Sequence, residues 1–97
     1  MPGWQGFFFM ISMRNYKNEN SGVNGFDLGP DFIILRFGSY YYLYSNKSTG
    51  ADKVKHMKEL AVKGEGLSTF ISKVVRKNYE ATFNNEKTMR TYLRRRD

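Results

Sequence analysis

The sequence predicts an α+β domain in which a three-stranded antiparallel β-meander is covered on one face by two α-helices. Two observations predict this class. Apolar and aromatic runs with the two-residue period of strands fill the first half of the chain, and apolar residues at helical spacing follow in the second half. The 97 residues allow one domain at most, and the 16% aromatic content can fill a small core.

The three strands are predicted over residues 23–28, 32–37 and 40–44. The segment "LGPD" at 28–31 has the residues of a turn, and "FIILRF" at 32–37 is β-branched and aromatic. Gly38-Ser39 makes a tight connection, so the third strand returns as a hairpin.

The tyrosine run of the third strand has two interpretations. By the two-residue period, Tyr42 and Tyr44 share one face, and Ile33 shares a face with Leu35. A slip of one residue in the hairpin register would invert which tyrosines join the Ile33 face. Either at least one of Tyr42 and Tyr44 is therefore part of the core, with its hydroxyl at the edge, or the two belong to an exposed aromatic face near Arg36.

Two helices are predicted, over residues 51–63 and 67–79, with Gly64 ending the first. The second has the strongest periodicity in the chain, with apolar residues at i, i+3, i+4, i+7 and i+8. The clean faces of strand and helix together predict a core that contains Ile33, Leu35, Phe37, Leu60, Phe70, Ile71 and Val74.

The chain divides into an apolar extension at 1–12, a domain at 13–80 and a basic tail at 81–97. The run "FFFMISM" at 7–13 is too short to cross a bilayer and lacks the features of a secretory signal. We expect residues 1–12 to be dispensable for folding. The tail is polar, and "MRTYLRRR" is either a last helical turn or disordered.

Several kinds of chemistry are disfavoured by composition. The chain has no cysteine, which excludes disulfides and thiol catalysis and makes a reducing cytoplasm the expected location. His56 is the single histidine, so no convincing transition-metal set is present. The acids lie scattered among lysines without the spacing of a catalytic pair. We therefore expect a protein that is not an enzyme and needs no cofactor.

The charge is concentrated in one half of the chain. Residues 1–46 are neutral overall, and the net charge of +7 lies entirely in residues 47–97. A one-sided basic surface attracts polyanions such as nucleic acid, acidic membranes or acidic proteins. The alternative is a surface that serves solubility alone.

A series of short motifs resembles the KTSC domain, a module named after the C-terminus of some lysyl-tRNA synthetases. The motifs are "NSGV" at 20–23, "YLY" at 42–44, "KHMKELA" at 55–61, "GEGLSTFI" at 64–71 and Tyr79. Stand-alone bacterial members are similar to residues 13–80. The resemblance implies a small β-meander followed by helix, with a Tyr-X-Tyr motif at Tyr42 and Tyr44. RNA binding has been suggested for that family.

Charge, aromatics and resemblance together predict a small module that binds RNA or single-stranded nucleic acid. Tyrosines would stack on bases and cations would hold phosphates. The candidate residues are Arg36, Tyr42, Tyr44, Lys73, Arg76 and Lys77. The alternative function is protein interaction or self-association, through an exposed sheet edge or the apolar run at 7–13.

Overall fold

The fold is seen in a computed structural model, which describes residues 13–17 and 21–96. Within these residues a five-stranded antiparallel sheet has the order β1-β2-β3-β4-β5. The strands are β1 (Arg14–Asn15), β2 (Gly25–Leu28), β3 (Phe32–Phe37), β4 (Tyr40–Ser45) and β5 (Ala81–Phe83). The α+β class is confirmed, and β2, β3 and β4 form the predicted meander.

The predicted number of three strands is wrong. One short strand is added at each edge of the meander: Arg14 and Asn15 pair with β2, while Ala81 to Phe83 pair with β4. Strands of two and three residues are too short to show a two-residue period. Residues 1–12, expected to be dispensable, lie outside the described residues.

Four helices accompany the sheet within the described chain: α1 (Asn46–Thr49), α2 (Ala51–Lys63), α3 (Leu67–Phe70) and α4 (Glu86–Arg95). The prediction for residues 51–63 is confirmed, and Gly64 ends α2 with a left-handed φ of 88°. None of the described helices is long and apolar enough to cross a membrane.

The second predicted helix is shorter than expected and changes its type. After α3 the chain forms a π-helical turn at Ile71–Val75, in which the Arg76 amide donates to the Ile71 carbonyl, 2.7 Å away. Arg76 then leaves helical geometry with φ 42° and ψ −115°. The helix therefore ends at Val75, and Tyr79 lies in the connection to β5.

The turn between β3 and β4 fixes the hairpin register. It consists of Gly38 and Ser39, and Gly38 takes a φ of 61°, as the first central residue of a type II′ turn requires. The register places Tyr42 opposite Leu35 and Tyr44 opposite Ile33. Both tyrosines thus lie on the sheet face that α2 and α3 cover.

The first core lies between that face and the helices. Its buried residues are Tyr16, Val23, Phe26, Ile33, Leu35, Tyr44, Val54, Met57, Ala61, Leu67 and Val75. Of the predicted core, Ile33 and Leu35 are fully buried, and Phe37, Leu60, Phe70 and Ile71 pack against it while partly buried. Val74 was predicted wrongly, since it is 42% exposed. The π-helical turn adds a residue to the helical repeat and turns Val75 inward in its place.

A second core covers the opposite face of the sheet, so the expectation of helices on one face alone is wrong. It is formed by Phe32, Ile34, Leu43, Phe83, Met89 and Leu93. Met89 and Leu93 are one turn apart on α4, and both are buried. The segment after residue 80 is thus a strand and a ten-residue helix that complete the fold.

A cluster of charged and polar groups holds the end of α4 to the sheet. The Arg96 guanidinium donates to Glu80, with Nε 2.9 Å from Oε2, and to Asp31, with Nη2 3.2 Å from Oδ2. The Tyr92 hydroxyl donates to the same Glu80 Oε2 at 2.7 Å. The Arg96 side chain is only 14% exposed, so this network is shielded better than an ordinary surface pair.

Candidate nucleic-acid interface

A cleft opens at the surface where β4, the π-helical turn and the following connection meet. It has a volume of about 320 Å³ and is lined by Phe37, Tyr42, Tyr44, Ile71, Arg76, Lys77 and Tyr79. We call it the aromatic cleft. Four of the six residues predicted from the sequence therefore meet in one place: Tyr42, Tyr44, Arg76 and Lys77.

The walls of the aromatic cleft are rings packed edge to face. The centroid of Tyr42 lies 5.0 Å from that of Phe37 and 5.2 Å from that of Tyr79, with interplanar angles of 77° and 76°. Tyr44 approaches Tyr79 at 5.9 Å. Such T-shaped contacts favour fixed ring positions. Because Tyr42 and Tyr79 are only partly buried, their rings remain accessible in part from the solvent.

Two side chains, one from β4 and one from α1, hold the backbone at the rim of the cleft. The Tyr44 hydroxyl donates to the Arg76 carbonyl oxygen at 2.9 Å, and the Thr49 hydroxyl donates to the Asn78 carbonyl oxygen at 2.7 Å. Burial raises the pKa of Tyr44 above its ordinary value of 10, with the phenols of Tyr42 and Tyr79 adding to the effect. The Tyr44 phenol therefore stays protonated and can donate throughout the physiological pH range.

The rim carries positive charge. Arg76 and Lys77 are both exposed, and the Arg76 Nε donates to the Ser72 carbonyl oxygen at 3.2 Å. That bond steers the guanidinium along the π-helical turn. A cleft with partly accessible rings and cations at its rim is suited to an aromatic group that carries a phosphate. Among the described residues no group of three or more His, Cys, Asp or Glu could hold a metal ion.

The structure separates two predicted residues from the aromatic cleft. Lys73 is exposed on the π-helical turn but does not line the cleft. Arg36 lies opposite Tyr41 in the ladder and so projects from the other face of the sheet than Tyr42. Its Nε is buried and has no hydrogen-bond partner among residues 13–17 and 21–96. The interpretation that put Arg36 beside an exposed Tyr42–Tyr44 face is therefore wrong.

The Tyr44 side chain belongs to the first core and is not accessible to a ligand. Its side chain is 1% exposed, so no base can stack on its ring without opening the core. Tyr42 is the accessible member of the Tyr-X-Tyr pair. The alternative that at least one of the two tyrosines belongs to the core is confirmed.

Sequence reasoning missed Phe37 and Tyr79 as walls of the cleft. The signal for Phe37 was present, because a two-residue Gly38-Ser39 turn pairs Phe37 with Tyr40 and leaves Phe37 on the face of Tyr42. The spacing of apolar residues contains no comparable signal for Tyr79, which was named only as part of the family resemblance. Its position depends on the helix ending at Val75, which the regular spacing of apolar residues concealed.

Comparison with known proteins gives no relative for this chain: no family model, no curated protein and no solved structure matches it.

Proposed function

We propose that this chain is a small non-enzymatic module that binds single-stranded nucleic acid, RNA in particular, at the aromatic cleft. One base stacks on the accessible part of the Tyr42 and Tyr79 rings, and the flanking phosphates contact Arg76 and Lys77. The observation that carries the proposal is the meeting of aromatic walls and a cationic rim in one cleft. Stacking on an aromatic ring contributes about 1–3 kcal/mol per base and tolerates any base.

The distribution of charge supports a polyanionic ligand. The net charge of +7 belongs to the half of the chain that supplies the cationic rim. Lys73 lies on the π-helical turn that leads into Arg76, and it adds to the local positive potential. Such a surface raises the rate of encounter with a polyanion and makes the affinity depend on salt.

The binding test measures the affinity for a labelled single-stranded RNA at several salt concentrations, with fluorescence anisotropy as the readout. If about four phosphates are neutralised, log K falls with log salt at a slope near −3, from roughly 0.7 per phosphate. Replacing Lys77 with alanine should weaken all sequences alike and reduce that slope. Lys63→Ala is the matched control, because Lys63 is an exposed lysine outside the cleft that pairs with Glu65 at 3.8 Å.

A second variant separates stacking from charge. Tyr42→Leu keeps an apolar group against Phe37 but removes the ring, so it should cost about 1–3 kcal/mol of binding and leave the salt slope unchanged. Absence of RNA binding at low salt would overturn the proposal. The basic half would then serve solubility, and self-association, measured by sedimentation, becomes the function to test.

A further inference from the structure

A second cavity lies on the opposite side of β5 from the aromatic cleft. It has a volume of about 390 Å³ and is lined by Phe83, Lys87, Thr88, Thr91, Tyr92 and Arg95. We call it the α4 groove. Its floor contains an aromatic pair, Phe83 and Tyr92, whose ring centroids are 5.2 Å apart. Like the aromatic cleft, it combines rings with cations.

The cations of the α4 groove form one stripe. Lys87, Thr91 and Arg95 follow each other at intervals of four residues, so they share one face of the helix, and all three are exposed. The ion pairs in and next to α4 are made by other residues, Arg90 with Glu86 and Arg96 with Glu80. In residues 13–17 and 21–96, no ion pair joins Lys87 or Arg95 to an acid.

A third depression adjoins the α4 groove at the β5 edge. It has a volume of about 380 Å³ and is lined by Tyr40, Thr82, Phe83, Asn84 and Thr88. Phe83 and Thr88 also line the α4 groove, while Thr82 is the ladder partner of Tyr42, which lines the aromatic cleft. The third depression therefore shares two lining residues with the α4 groove and lies one strand away from the aromatic cleft, at β5, which is the edge strand of the described sheet.

The lining of the third depression is aromatic and polar, which suits a strand of nucleic acid. Tyr40 offers a large aromatic side chain that is 55% exposed. Thr82, Asn84 and Thr88 are small and polar, and each can exchange hydrogen bonds with a sugar or a phosphate. The nearby carboxylates are occupied, because Glu80 is bound to Arg96 and Glu86 to Arg90.

We propose that a single strand of nucleic acid bound in the aromatic cleft continues around the β5 edge and places further phosphates on Lys87 and Arg95. This proposal rests on the function proposed above and extends its site. The charges favour a polyanion, with Arg76 and Lys77 at one end of the path and Lys87 and Arg95 at the other. The path passes from one face of the sheet to the other within a small domain. A duplex, with a persistence length of about 150 base pairs, cannot follow such a bend, whereas a flexible single strand can.

The test compares the binding of two oligouridylates, of about 4 and about 12 nucleotides, by fluorescence anisotropy at low salt. The double variant Lys87→Ala/Arg95→Ala should weaken the longer strand at least about tenfold and reduce its salt slope by about 1.4, for two lost phosphate contacts. The shorter strand should bind as it does to the parent chain. Lys53→Ala/Lys55→Ala is the control, because it removes two exposed charges from α2. The control should weaken the binding of both strands by the same factor. That factor should be smaller than the loss that Lys87→Ala/Arg95→Ala causes for the longer strand.

Three further measurements guard against an effect of folding or of charge alone. Thr91→Glu puts a carboxylate between the two cations at an exposed position and should weaken the longer strand alone. Thermal melting of each variant should stay within a few degrees of the parent. A 12-base-pair duplex should bind more weakly than the 12-nucleotide single strand.

The outcomes separate this inference from the function it rests on. If Lys77→Ala weakens both strands while the α4 variants weaken neither, the site ends at the aromatic cleft and the path is refuted. If neither strand binds the parent chain, the proposed function itself fails. If polyglutamate of matched length binds more tightly than the RNA, the ligand is an acidic protein segment and the path for nucleic acid is overturned.

Discussion

The phenol oxygen of Tyr44 lies 2.9 Å from the carbonyl oxygen of Arg76 and donates a hydrogen bond to it. This bond joins the C-terminal end of β4 to the residue that follows the π-helical turn, 32 positions later in the chain. It ties the buried member of the Tyr-X-Tyr pair to the rim of the aromatic cleft. Tyr44 therefore contributes to the cleft by positioning its rim.

The bond can be tested by removing one atom. Tyr44→Phe keeps the ring packing and deletes the donor, so we expect a loss of about 0.5–1.5 kcal/mol in the free energy of unfolding. Tyr42→Phe is the matched control, since it removes a hydroxyl from the same strand face without touching this bond. Urea denaturation measures both. Equal stability of Tyr44→Phe and the parent would show that the bond is not formed in solution.

The π-helical turn predicts that truncation of Val75 destabilises the fold much more than truncation of Val74. Val75 is fully buried and Val74 is 42% exposed, so Val75→Ala should cost about 2–3 kcal/mol and Val74→Ala no more than about 0.5 kcal/mol. The two variants remove the same two methyl groups at neighbouring positions. A larger loss for Val74→Ala would mean that the helix continues in α-helical register through this segment.

The Glu80–Arg96 pair should make the free energy of unfolding depend on pH in the acidic range. Burial alone would raise the pKa of Glu80, but hydrogen bonds from Arg96 and Tyr92 outweigh it and lower the pKa from 4.5 to about 2. Because the folded pKa is below the unfolded one, the carboxylate stabilises the fold fully above pH 4.5, and this contribution is lost as the pH falls toward 2.

Glu80→Gln should remove that dependence. The variant should be less stable than the parent at pH 7, by about 1–3 kcal/mol, because Arg96 loses a charged partner. Denaturation at several pH values should show the difference shrinking below about pH 4.5. Glu65→Gln is a control with a largely exposed carboxylate, and it should show little effect at any pH. A Glu80→Gln deficit that is the same at pH 7 and pH 2.5 would contradict this account.

Arg76 combines an exposed charge with backbone geometry that suits glycine. Among the described non-glycine residues it alone has a positive φ, at 42°. Arg76→Ala and Arg76→Gly should weaken RNA binding equally, since both remove the guanidinium. The glycine variant should be the more stable of the two, by about 1 kcal/mol, because glycine takes positive φ at no steric cost. Thermal melting measures the difference in stability, and fluorescence anisotropy measures RNA binding. Equal melting temperatures of the two variants would show that the backbone at residue 76 is not strained.

The parts of the fold that could be predicted are those with long periodic segments. Residues 32–37 and 51–63 were placed correctly because their apolar residues repeat over several positions. The edge strands were missed because two or three residues have no measurable period. The sequence did not decide whether the segment of α4 is helical or disordered. Only two of its residues, Met89 and Leu93, are buried and apolar, and they are set among basic and polar ones, so the helical period is weak.

The position of a site residue on a strand could be predicted, because the two-residue period decides which sheet face it shares. The positions of site residues just after a helix could not be predicted, because they depend on where the helix ends. Tyr42 could be placed once the two-residue turn set the register. Arg76 and Lys77 were expected on a helix face, yet they reach the cleft through the turn that follows the helix. Nothing in the spacing from Leu67 to Val75 distinguishes a π-helical turn from an α-helix, because the same residues fit both until the last turn.

The strand order of the sheet also has a consequence for how the chain assembles. Residues 29–31 join β2 to β3, and residues 38–39 join β3 to β4, so these hairpins close short loops and should form early in folding. Pairing of β5 with β4 must close a loop that contains all of residues 46–80, at a greater entropic cost. The aromatic cleft and the α4 groove both border this late junction. A refolding intermediate should therefore expose Ile34 and Leu43 before α4 covers them, which is the kind of apolar sheet face on which partly folded chains aggregate.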